Sequence, residues 1–248
     1  MNLSNPVELA LLQRVYSCRE CVVKKPKLVS EFTEARPGMF HKFPPLIGCA
    51  GKAKLLFVGY NPRRTTNVAV HDFAVRSLDD FCTLSNNTDH HGQRYIGSSS
   101  STFEHERHYD LHNDIVQRVF GKPFEQVAAV TEMYLCASRD GKKLNTETSP
   151  CAQLYLSQTI KIANPDYIVT FGSGLPRFFS LFLRELRAGV LHLPFPSKRT
   201  TPTTTMAAAV EWVVQSLLCL EQGEEPPRKT WRWPKSDATL PHAIMRYP

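Results

Sequence analysis

The chain has 248 residues, 42% hydrophobic and 21% charged, enough for one α/β domain, alone or with extensions, around a single sizeable core. The balance of 30 Lys+Arg against 23 Asp+Glu gives a net charge of +7, a mild bias towards polyanionic partners. No apolar run reaches membrane-spanning length and no charged n-region leads into an apolar core, so the expectation is a soluble intracellular protein, cytoplasmic or in a DNA-containing compartment. Seven cysteines, an odd number, argue against a disulfide framework and turn the question to metal ligation.

In chain order, residues 6–17 carry a helical apolar repeat opened by Pro6, and this helix leads to Cys18-Arg19-Glu20-Cys21. Residues 22–50 are rich in Lys, Pro and Phe and read as an irregular surface segment. Lys54-Leu55-Leu56-Phe57-Val58-Gly59-Tyr60-Asn61-Pro62-Arg63-Arg64 reads as a buried parallel strand ending in a tight turn. Residues 65–108 hold polar clusters and read as long loops, with a short helix around Asp72–Phe81 and with His90, His91, His105 and His108 as solvated loop histidines.

Leu111–Phe120 is expected to be a helix closed by Gly121, and Gln126–Leu135 a second buried strand carrying Glu132 and then Cys136 to the same sheet edge as Asn61. A helix over Pro150–Ala163 follows, then a strand over Asp166–Gly172, a helix over Leu175–Arg187, a fourth strand over Gly189–Leu193 and a last helix over Thr204–Leu220. Strands alternating with helices predict a three-layer α/β/α sandwich around a four-stranded, mostly parallel sheet. The division is a domain over 1–221 and a Pro-, Trp- and Arg-bearing tail over 222–248.

Open α/β sheets bind ligands beyond the carboxyl ends of their strands, so the turn at Gly59-Tyr60-Asn61 is the natural candidate site, with Asn61 as its chemical centre. Ordinary turn formation accounts for Gly, Asn and Pro equally well when that stretch stands alone. Cys18, Cys21, Cys136 and Cys151 can converge beside the sheet as a four-thiolate site, for which zinc and an iron–sulfur cluster are both suitable.

The order of these features (Cys-x-x-Cys, a strand ending Gly-x-x-Pro, a strand leading to Cys136, a further Cys151, a strand ending in Gly172 and a late Pro196-Ser197 turn) resembles the uracil-DNA glycosylase superfamily, above all its iron–sulfur branches, families 4 and 5. The resemblance spans about Cys18 to Leu220. It implies a 4Fe–4S cluster on Cys18, Cys21, Cys136 and Cys151, with DNA as the partner of a monomeric, monofunctional glycosylase of base excision repair. Its departures bear on substrate. Family 4 carries GEAPG as first motif, whereas Gly59-Tyr60-Asn61-Pro62 is similar to the GxNP of mismatch-specific and single-strand-selective branches, in which the Asn positions water. The pyrimidine-reading Asn of many relatives falls on Glu132, and the histidine of the late His-Pro-Ser motif is replaced by Phe195.

The chemistry implied is hydrolysis of an N-glycosidic bond after the base is flipped from the stack. Arg63, Arg64, Lys198, Arg199 and Ser197 are the expected phosphate contacts, and Phe103 is the expected stacking partner of the flipped base, with Phe73 its competitor. Backbone N–H groups near Tyr60 and Asn61 would hold the base carbonyl, while the Asn61 amide orients water. An ionised Glu132 only accepts hydrogen bonds, which predicts either a raised Glu132 pKa or a substrate other than plain uracil. Two alternatives are a catalytically weak nucleic-acid-binding homologue, in keeping with Phe195 and Glu132, and an enzyme acting on a modified base or nucleotide.

Overall fold

The computed structural model describes residues 5–20, 45–49, 53–59, 78–79, 103–135, 151–171, 188–193, 203–227, 229–230 and 241–242. The chain enters through α1, Pro6–Ser17, whose first turn is capped by the Asn5 side chain accepting from the Val7 N–H at 3.0 Å. Its apolar face buries Leu11, Leu12 and Val15.

The sheet is built around β2, Leu55–Gly59, every residue of which is buried. That is why the run is continuously apolar rather than alternating: both faces of a central parallel strand are covered. The strand is flanked by β3, Ala128–Glu132, and β4, Tyr167–Phe171, both parallel to it, and β5, Gly189–Leu193, continues beyond β4. A two-residue strand, β1, Ile47–Gly48, lies antiparallel on the outer edge of β3, so the sheet is five-stranded in the order β1-β3-β2-β4-β5. The four parallel strands are the four expected; β1 adds to them from a segment expected to be irregular.

Gly48 permits that edge strand. Its φ of +114° suits glycine, and a Cβ there would lie 2.6 Å from the Ala128 carbonyl oxygen and 3.0 Å from the Phe124 ring. Two residues carry too little pattern for periodicity to detect.

On one face of the sheet Phe57 stacks on His112 of α2, Phe103–Phe120, with ring centroids 4.1 Å apart, and lies within 6.1 Å of Phe171. A one-turn helix α3, Phe124–Val127, delivers Phe124 to the same cluster. Helix α2 packs against α5, Thr203–Glu221, whose Glu221 accepts from the Tyr167 hydroxyl and pairs with Lys54. Fully burying a side chain such as Phe57 contributes about 1.5–3 kcal/mol relative to leaving it in water.

Elsewhere α1 packs against α4, Ser157–Ala163, which continues a π-helical turn over Ala152–Leu156. Helix α4 ends at Asn164 in the left-handed region, φ 43°, just ahead of Pro165, as the expected stop requires.

Helix α2 begins at Phe103 rather than Leu111, so His105 and His108 belong to a helix and not to a loop. The added turns carry Glu104, Glu106 and Arg107, good helix formers without an apolar stripe to announce them. The second strand is shorter than expected, because residues 124–127 turn as α3 first. Leu78 and Asp79 are helical, within the expected 72–81 helix; the rest of 65–102 and the expected 175–187 helix lie outside the described residues. In the tail, β6, Lys229–Thr230, pairs antiparallel with β7, Pro241–His242. Residue 227 is tied to α5 by the Trp212 indole N–H, which donates to the Pro227 carbonyl at 2.7 Å. Among the described residues no helix is long and apolar enough to cross a membrane.

Candidate functional site

Strand β2 ends at Gly59 and β3 at Glu132, and the parallel register pairs these two residues directly. Paired residues of a parallel ladder share a face, and here the Glu132 side chain fills the space above Gly59. A Cβ on Gly59 would lie 2.5 Å from the Glu132 carboxyl carbon and 2.6 Å from Oε1. The glycine of the first motif is therefore fixed by its neighbour's carboxyl group rather than by backbone torsion.

Glu132 is 7% exposed, and its Oε2 is buried with no hydrogen-bond partner among the described residues. Burial pushes its carboxyl up from an ordinary 4.5 to about 8. A carboxylic acid of this kind is neutral at pH 7 and carries one O–H donor beside one carbonyl acceptor.

Neighbouring strands β2 and β4 send the chain in opposite directions, β2 towards β3 and β4 towards β5. The crevice at such a switch point, beyond the carboxyl ends, is the usual ligand site of an open α/β sheet. Gly59 and Glu132 lie at that edge, and Leu193 ends β5 at the same end. Tyr60, Asn61, Arg63 and Arg64 follow Gly59 in the chain, and Phe195, Ser197, Lys198 and Arg199 follow Leu193; all of these lie outside the described residues. Phe103 is the first residue of α2. Its described backbone does not bear on its expected stacking role.

Two of the four expected ligand cysteines are described, and both act on one side chain. Cys18 caps the C-terminus of α1 and Cys151 immediately precedes the π-helical turn. Both act on Tyr155: its hydroxyl pKa is raised first by burial, then by a hydrogen bond to Cys18 and by the charges of Cys18 and Cys151. The Tyr155 hydroxyl also donates to the Arg14 carbonyl at 3.4 Å, which ties the end of α1 to the start of the 152–163 helix.

The Leu135 N–H donates to Cys151 Sγ at 3.3 Å. Leu135 closes the described 103–135 segment, so the end of that segment lies against Cys151. Cys21 and Cys136 themselves lie outside the described residues. Among the described residues no group of three or more His, Cys, Asp or Glu side chains is assembled as a metal site. Cys49 is buried, points its Sγ at the Gln126 carbonyl 3.6 Å away and has its pKa raised by burial.

Tyr155 was not singled out by the sequence analysis. Its spacing of four from Cys151 on a helix was the available signal, because i and i+4 share a face. His192 is a buried strand residue whose Nδ1 is hydrogen-bonded to Thr170 Oγ1, and its place on β5 keeps it within the sheet. No protein-family model matches the chain, and no curated protein matches it.

Proposed function

We propose that this chain is a monofunctional DNA glycosylase of the uracil-DNA glycosylase type, which flips a damaged or deaminated base from DNA and hydrolyses its N-glycosidic bond to begin base excision repair. The observation that carries the reading is the pairing of Gly59 with Glu132 at the carboxyl ends of adjacent parallel strands, with a buried carboxyl oxygen at that edge that has no partner among the described residues. The two motifs that resemble the water-positioning turn and the base-reading position are thus neighbours in space, although 73 residues apart in the chain. The same reading gives the helices to both faces of the sheet. Right-handed crossovers from β2 to β3 and from β3 to β4 would run in opposite directions, and this supports a three-layer sandwich with α2 and α4 on opposite sides.

In this proposal the Asn61 amide orients water at the anomeric carbon, since an amide has no useful titration near neutral pH. Backbone N–H groups around Tyr60 and Asn61 stabilise charge on the departing base. Phe103 stacks on the base, Phe195 lines the pocket, and Glu132 meets the polar edge. Arg63, Arg64, Ser197, Lys198 and Arg199 hold phosphates.

The cysteine set suits a thiolate-held group: Cys18 and Cys151 both act on Tyr155, and a backbone N–H points at the Cys151 sulfur. Cys18, Cys21, Cys136 and Cys151 would hold a 4Fe–4S cluster, which would brace α1 against the 151–163 helix and the end of β3.

The test is base release from oligonucleotides carrying uracil, hypoxanthine, xanthine or oxidised thymine, in single strands and opposite each partner base. Product that disappears in Asn61→Ala, with DNA affinity retained, is the expected result. DNA affinity without product, in protein with its metal intact, would favour a nucleic-acid-binding homologue that has lost turnover, a reading to which Phe195 lends weight. Turnover of mononucleotides in preference to DNA would favour an enzyme of modified nucleotides.

A further inference from the structure

The Glu132 carboxyl raises a question that an ordinary core residue does not. It is 7% exposed, its Oε2 has no partner among the described residues, and it is pressed over the bare backbone of Gly59 at the strand edge where a ligand would sit. An ionised carboxylate so placed would need a cation or several donors to offset its desolvation, and the described residues provide neither.

Among the described residues, the groups beside it on the strands are uncharged. Opposite is a glycine; its chain neighbours are Thr131 and Met133; and the titratable side chain described on this face from the helix layer is His112, engaged with Phe57 and Phe171. Burial raises the carboxyl, and no charge among the described residues contributes.

We infer that Glu132 works as a neutral carboxylic acid that reads the lactam edge of a flipped base, its O–H donating to the ring carbonyl oxygen while its own carbonyl accepts from the adjacent ring N–H. This assigns Glu132 a specificity-determining role and rests on the glycosylase reading for the base being a nucleobase. The substrate class is a base with a C=O beside an N–H, as in uracil and hypoxanthine, which are the deamination products of cytosine and adenine. The ionised form would set two acceptors against the carbonyl oxygen and lose the pair. Discrimination of this sort is strong because a mismatched edge leaves a buried polar group unpaired.

The experiment follows kcat/KM for uracil and hypoxanthine release, and in parallel the affinity for the free bases, from about pH 6 to about pH 10, in the parent protein and in Glu132→Gln. Glutamine keeps one donor and one acceptor in the same shape and does not titrate. In the parent, both readouts should fall about tenfold per pH unit once the carboxyl ionises, above about pH 8. Glu132→Gln should lower them by less than about tenfold at pH 7 and should lack the Glu132 limb. Ionisation of the base itself is common to both proteins and cancels in their ratio.

A ratio of parent to variant that is constant across pH overturns the inference, as does equal affinity for bases with and without the lactam edge. No turnover, but free-base affinity with the predicted difference between parent and variant, would keep the inference while overturning the glycosylase reading. Neither turnover nor free-base affinity would overturn both.

Discussion

Gly59 and Glu132 form a steric pair as well as a chemical one. Placing a methyl group at Gly59 drives it into the Glu132 carboxyl, and overpacking at a buried site costs about 1–3 kcal/mol. Gly59→Ala is therefore expected to lower stability by that amount in urea denaturation, and to cost measurably less in a Glu132→Ala background, where the obstructing group is gone. Strictly additive losses in the double-mutant cycle would mean that the two residues do not share this space. Glu132 was legible as a candidate from its distance to Cys136. Its burial was not, because a lone carboxylate at a strand end reads as an exposed polar edge until the elements covering it are known.

At the scale of elements, α1 and the 151–163 helix are joined through Tyr155, on which Cys18 and Cys151 both act. If this junction holds metal, Cys151→Ser should lose most of the bound iron and acid-labile sulfide, whereas Cys49→Ser, altered at a buried thiol bonded to a backbone carbonyl, should keep them. Elemental and sulfide analysis of the two variants beside the parent checks this. Zinc in place of iron would keep the four-thiolate site but remove the cluster, and equal metal contents in the two variants would remove Cys151 from the ligand set.

The long elements were readable because each repeats its signal. Helix α1 matches its expected span of 6–17, and β5 its span of 189–193. What escaped was short or polar: the two-residue β1, the first two turns of α2, and the β6–β7 pair in the tail. Two residues contain no period, and a polar helical turn lacks the stripe that periodicity detects.

For the whole molecule, the raised Glu132 pKa links folding to pH. The unfolded carboxyl ionises near 4.5 while the folded one stays protonated to about 8, so between these values the unfolded state binds fewer protons and stability falls as pH rises. Below the window both states are protonated and the loss is absent; above it the loss is complete. At ~1.4 kcal/mol per pKa unit the total is a few kcal/mol. Unfolding free energy measured from about pH 5 to about pH 9 should decline in the parent and decline less in Glu132→Gln; identical slopes would mean that Glu132 ionises normally in the folded chain.

The sequence by itself determined the alternation of strands and helices, the parallel character of the four main strands and the candidate residues at their ends. Those are local properties: apolar runs, caps, breakers and motif spacing are written along the chain. Only the tertiary structure decided that β3 and β4 flank β2, that Gly59 faces Glu132 in register, that Glu132 Oε2 is buried with no partner among the described residues, and that Cys18 and Cys151 share Tyr155. Each of these depends on contacts between residues far apart in the chain. Desolvation and close approach are set by neighbours that no local pattern names.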